Sequence, residues 1–245
     1  MAIKPTAKKV RKPTPKKAGK PTLVAKKDEY YVQGAIHHGA MTHSSNRLAR
    51  ENFKKAIDID KEYAIAEKIN DVAAMSADLQ VKGNILLEMG KYAEAREQFD
   101  KLLKMTEGSG LSQEIKDNTR LFHHYNLATV ALGMKDGAKA VAEAEEFRKG
   151  AEASKNPAQV RQAHQLLGMI ALAEKDYDKA IAELQQTGQQ NPQNFFRLCQ
   201  AYQAKGDNAK AREFCQKAAD FNSLPALNYA FVRTKARKMA TEIKG

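Results

Sequence analysis

The chain has 245 residues, 42% of them hydrophobic, and a formal net charge of +12. This length allows one elongated domain with a continuous core, or two small ones. Seven prolines and the lack of alternating β-branched runs argue against a sheet protein. No stretch approaches the roughly 18 apolar residues that span a bilayer. Two cysteines imply no disulfide framework and point to a reducing, cytoplasmic setting.

The charge is concentrated at one end. Residues 1–27 carry ten Lys or Arg, no acid and four of the seven prolines. With so little apolar surface, this segment is expected to be a disordered tail. It has no apolar h-region of the kind a secretory signal needs, and it is rich in Lys and Pro rather than Arg, unlike a mitochondrial presequence. The remaining 31 basic residues face 29 acidic ones, so the body is nearly neutral. The high pI therefore does not make the body a nucleic-acid binder. The tail itself is a candidate polyanion site through Lys8, Lys9, Arg11, Lys12, Lys16 and Lys17, by sequence-independent, salt-sensitive contacts to DNA or RNA. It has no aromatic residue to stack on bases.

From about Asp28 the composition turns to helix formers and a pattern repeats. The earliest copy is Arg47-Leu48-Ala49 with Phe53 and Ala56. Next comes Gly90-Lys91-Tyr92-Ala93-Glu94-Ala95 followed by Phe99. A weaker copy is Lys135 to Ala140. Then come Lys175 to Ala180 followed by Leu184, and Gly206 to Ala211 followed by Phe214. Upstream of these turns lie Gly83, Leu127-Ala128, Leu167-Gly168 and Leu198-Cys199 at a fixed offset. Each unit reads as helix, short turn, helix. A small residue in the first helix admits the second, and an aromatic or Leu one turn later fills the space between them. The segments Met105–Gly110 and Lys155-Asn156-Pro157 read as loops. A last helix is expected from about Pro225, with Leu227, Ala230, Phe231 and Met239 toward the preceding unit.

These positions resemble the tetratricopeptide repeat family over roughly residues 30–225, through Gly83, Tyr92, Ala95 and Phe99, then Leu167-Gly168, Tyr177, Ala180 and Pro192, then Leu198, Tyr202, Gly206, Ala211 and Ala218. There are departures. The chain has no Trp, and its spacing is longer than the family's in all but the last interval. The resemblance implies an all-α solenoid of helical hairpins, a right-handed superhelix, ended by a capping helix. The expected division is 1–27 tail, 28–75 first repeat-like hairpin, 76–225 repeats and 226–245 cap.

What the resemblance implies for function is a non-catalytic adaptor or scaffold holding a partner peptide or helix in the concave groove. The inward positions are Tyr31 and His38, then Gln80, Asn84, Phe122, Tyr125, Asn126, Thr129, Gln162, Gln165 and Met169. Amides there suit a peptide backbone, and aromatics add apolar area. Asn84 and Asn126 match two positions of the family's carboxylate clamp, but Gln80, Gln162 and Leu166 stand where its cations belong, so a chaperone-tail ligand is not expected. No cofactor is implied. No nucleophile, phosphate loop or carboxylate pair stands out, so no catalysis is expected. The six histidines include no pair three or four residues apart, as two metal ligands on one helix require. His124 and His164 are expected as packed core residues, and Cys199 and Cys215 as facing, buried thiols. The alternative is a nucleic-acid-associated protein acting through its tail.

Overall fold

A computed structural model describes residues 60–188, 191–221 and 227–243. The expected tail with its six candidate cations, the unit around Ala49, and Tyr31 and His38 lie outside these residues. The described residues form ten helices. They are α1 (Asp60–Lys68), α2 (Val72–Glu88), α3 (Tyr92–Glu107), α4 (Gln113–Gly133), α5 (Gly137–Ser154), α6 (Pro157–Ala173), α7 (Tyr177–Gln185), α8 (Pro192–Ala204), α9 (Asn208–Asp220) and α10 (Leu227–Glu242). The chain is an all-α solenoid in which α2–α3, α4–α5, α6–α7 and α8–α9 are consecutive antiparallel hairpins.

Every hairpin turns the same way. Gly90, Lys135, Lys175 and Gly206 occupy one register position and have φ of 75°, 61°, 65° and 82°. An Asp follows in three of them and caps the second helix, Asp136, Asp176 and Asp207 each accepting from the amide three residues on. Asn156 and Asn191 cap α6 and α8 with Pro157 and Pro192 in the first turn, where a missing N–H costs nothing.

The crossing within each hairpin follows from the small residue. A Cβ on Gly83 would lie 2.2 Å from Phe99 Cε1, and one on Gly168 would lie 2.7 Å from Leu184 Cγ. Phe99 and Leu184 are fully buried by this contact, worth about 2 kcal/mol each in area removed from water. In the second hairpin Ala128 and Ala144 hold the same register. In the fourth the positions belong to Cys199 and Cys215, which are joined as a disulfide. This corrects two expectations. Cys215, not Phe214, is the counterpart of Phe99 and Leu184, and the cysteines are bonded rather than free. Helix geometry carries both, since one residue of slip rotates a side chain by about 100° off the crossing.

The segment expected to loop from Met105 stays helical to Glu107, and Thr106 is buried. Gly108 supplies the stop. The last helix packs through Val232, Ala236 and Ile243, with Met239 against the core as expected; the side chains of Leu227, Ala230 and Phe231 are outside the described set. No described helix is long and apolar enough to cross a membrane.

The first helices also touch in sequence, α2 with α4, α4 with α6 and α6 with α8, which makes them the inner layer. The array curves so far that α10 returns to α2.

Candidate partner-binding channel

Gln80, Tyr125 and Gln165 hold equivalent register positions on α2, α4 and α6, and a hydrogen-bonded circuit runs through them. Gln80 and Asn126 exchange two bonds, at 3.1 and 2.9 Å. Gln165 Nε2 donates to Tyr125 Oη at 2.6 Å. Asn194 Nδ2 on α8 donates to Gln165 Oε1 at 3.3 Å. Gln193 Nε2, one residue before it, donates to Glu88 Oε1 on α2 at 3.1 Å. The fourth inner helix is thereby tied back to the first.

The expected groove residues divide into two groups. Asn126 and Gln165 are buried and bonded within the chain. Phe122 and Tyr125 turn their rings onto Phe147, at centroid distances of 5.7 and 5.3 Å, and so belong partly to the core between α4 and α5. Asn84 is exposed and accepts one bond from Gln80. Thr129 and Met169 hold the same register on the next two inner helices and are half-buried, as is Gln162. Amides serve here because each can donate and accept at once, so neighbouring helices lock in register without leaving a buried polar group unpaired.

Four residues of this region were not among the expected ones: Glu88, Gln193, Arg197 and Lys235. Arg197 stands at the register of Asn126 and Leu166, and aligning the inner helices by their small residue would have placed it on the lining. Its Nη1 donates to Asn194 Oδ1 at 2.9 Å. Burial lowers its pKa, while the nearby Tyr125 and Glu88 oppose that shift. It stays charged, because a guanidinium starts far above neutrality. Burial likewise pushes the Tyr125 phenol up, so it is neutral and donates or accepts as a hydroxyl. Glu88 accepts a second contact from Lys235 Nζ of α10 at 3.4 Å.

The histidines fall elsewhere. His124 Nδ1 lies 2.7 Å from Glu143 Oε2, and His164 Nδ1 lies 2.7 Å from Glu183 Oε2, the same pair in successive hairpins. Both rings are about a third exposed or more, at 39% and 35%. This corrects their expected place in the core. In the fourth hairpin Phe195 and Phe214 fill that register, 6.3 Å apart. Among the described residues no group of His, Cys, Asp and Glu has the arrangement of a metal site.

Two stretches match family profiles described as tetratricopeptide repeat, over residues 79–108 and 125–195. The first runs from within α2 to the end of α3, and the second from within α4 through α5, α6 and α7 into the start of α8. No curated protein matches the chain.

Proposed function

This chain is a tetratricopeptide-repeat protein, and from that premise we propose that it is a non-catalytic adaptor that holds a peptide or helix of a protein partner along its inner face. The observation that carries the reading is the register of Asn84, Thr129 and Met169. They repeat on three successive inner helices as a mixed polar and apolar row, beside amides already fixed by the circuit. A row of this kind offers a backbone donors, acceptors and apolar contact at little ordering cost.

Asn126 and Tyr125 make poor probes of binding, because they also hold helices together. Asn84 and Met169 are better ones. The test is capture of partners from nuclease-treated lysate by the full chain and by its Asn84→Glu and Met169→Glu variants. The expected result is a set of proteins recovered by the natural chain and lost from both variants, with unchanged melting. Recovery that ignores both variants, or that vanishes with nuclease, would favour the basic tail as the working element and remove the inner-face reading.

A further inference from the structure

The two cysteines of the chain stand at one helix crossing, and that crossing shares its core with the last helix. In the first three hairpins the crossing holds Gly83 with Phe99, Ala128 with Ala144, and Gly168 with Leu184, none of which has redox chemistry. In the fourth, Cys199 of α8 and Cys215 of α9 are bonded and fully buried. Ile243, just past the end of α10, is buried in one cluster with both cysteines, and Met239 packs against that cluster. Val232 and Ala236 of α10 are buried in a second cluster with Phe195 of α8 and Ala218 of α9.

Each cluster takes residues from both α8 and α9, so the seat of the last helix depends on the spacing of those two helices. The seat is also small. Among the described residues it buries Val232, Ala236 and Ile243. Two hydrogen bonds back it: Arg212 Nη2 donates to the Ile243 carbonyl at 2.8 Å, and Arg233 Nη2 to the Phe221 carbonyl at 2.7 Å. A sulfur–sulfur bond holds its atoms about 2 Å apart, closer than two thiols can come. Breaking it removes the tie between α8 and α9 and makes the sulfurs claim more room in the cluster that Ile243 completes.

We propose that the Cys199–Cys215 bond is a redox latch for the last helix: oxidised, it fixes the seat and α10 stays docked; reduced, α10 detaches. Reduction is a thiol–disulfide exchange with an external dithiol. One thiolate of the dithiol attacks one sulfur of the pair, and the other sulfur leaves and takes a proton. The second thiol of the dithiol then displaces the mixed disulfide. Two electrons pass to the pair, which ends as two thiols, and the dithiol ends as a disulfide. Detachment parts Lys235 from Glu88 on α2 and uncovers the α8–α9 face around Phe195. It holds whatever the inner face binds. Docking and bond formation are linked, so whatever loosens α10 eases reduction by the same factor.

The experiment is hydrogen exchange of the full chain, read by mass spectrometry, with and without dithiothreitol. Stability in a stacked array is felt mainly between neighbours, so α4 and α5 serve as the internal reference. In the reduced chain the amides of residues 232–243 should exchange about tenfold faster, those of α8 and α9 about threefold at most, and those of α4 and α5 at their former rate. The double variant Cys199→Ala with Cys215→Ala should show no response to dithiothreitol. Ile243→Ala thins the seat without touching the sulfurs. In mixtures of reduced and oxidised dithiothreitol it should shift the equilibrium about tenfold toward the thiols, or about 30 mV. The exchange measurement on the natural chain needs no variant, so it remains informative even where one fails to fold. An α10 that exchanges no faster on reduction would overturn the proposal. So would equal acceleration of α8, α9 and α10, which would make the bond a plain brace of its own hairpin. An Ile243→Ala chain with the equilibrium of the natural one, or a double variant that still answers to dithiothreitol, would overturn it as well.

Discussion

Cys199 and Cys215 are joined across the helix crossing that Gly83 and Phe99 fill in the first hairpin and Gly168 and Leu184 fill in the third. The same contact is met by a small residue under a large one, by two alanines, and by a covalent bond. The bond closes a loop across a sequence separation of 16, which corresponds to about 3 kcal/mol of stabilisation. Urea unfolding with and without reductant should show a loss of that order. The double variant Cys199→Ala with Cys215→Ala, which copies the Ala128–Ala144 pair, should match the reduced protein. Coincident unfolding curves in oxidising and reducing buffer would contradict the bond's contribution.

The crossing at Gly83 is the tightest of the glycine contacts to a fully buried ring. Gly83→Ala should destabilise by about 1–3 kcal/mol, since Phe99 has nowhere to withdraw. Phe99→Leu in the same chain should recover part of that loss, because the two sites share one space. Gly137 begins α5 with nothing within 4 Å of an added Cβ. Gly137→Ala should therefore be neutral or stabilising by up to about 1 kcal/mol. Equal effects at positions 83 and 137 in chemical denaturation would refute the close-approach argument.

Lys135 and Lys175 hold a left-handed backbone that Gly90 and Gly206 hold in the equivalent turns. A side chain there costs about 1–2 kcal/mol, partly offset by the greater freedom glycine has when unfolded. Lys175→Gly should raise stability by up to about 1 kcal/mol, read as a higher urea midpoint at unchanged slope. A lower midpoint would mean that the lysine makes a contact outweighing its backbone strain.

His123 on α4 faces α3, with Nε2 3.2 Å from Asp100 Oδ1. Its Nδ1 is buried without a partner among the described residues. Burial lowers its pKa, chiefly by desolvation; Asp100 and Glu143 pull the other way, and His124 and Arg96 add to the lowering. The folded chain therefore binds fewer protons at this site than the unfolded chain. Stability contributed here is present above the ordinary histidine pKa of about 6.5 and is lost as pH falls through it toward the lower folded value. The drop in urea midpoint between about pH 7.5 and about pH 5.5 should be larger for the natural chain than for His123→Gln. A steeper fall in the variant would reverse the assignment.

The hairpins were legible because their determinants are local. A small residue, a left-handed turn, a cap and a large residue recur at fixed offsets, and each acts within about twenty residues. Gly83, Gly168, Phe99 and Leu184 are where the pattern placed them. The fourth hairpin was harder to read. Phe214 and Cys215 are adjacent, and hydrophobicity alone selects the larger, whereas the backbone register selects Cys215. His124 and His164 were misplaced for a similar reason. Their register is aromatic in the fourth hairpin, but the facing Glu143 and Glu183 turn it into a surface pair. The channel was the least legible part. Glu88, Gln193, Arg197 and Lys235 are up to 147 residues apart, and curvature summed over four hairpins brings them together. No local pattern carries that sum.

The most direct test of the inner-face claim is site-specific photo-crosslinking in nuclease-treated lysate, with the photoreactive residue at position 84 on α2 or at position 141 on α5. Asn84 and Val141 are both exposed, on an inner and an outer helix. A discrete protein adduct from position 84, absent from position 141, is the result this account predicts. Adducts of equal yield from both positions, or adducts to position 141 alone, would contradict it.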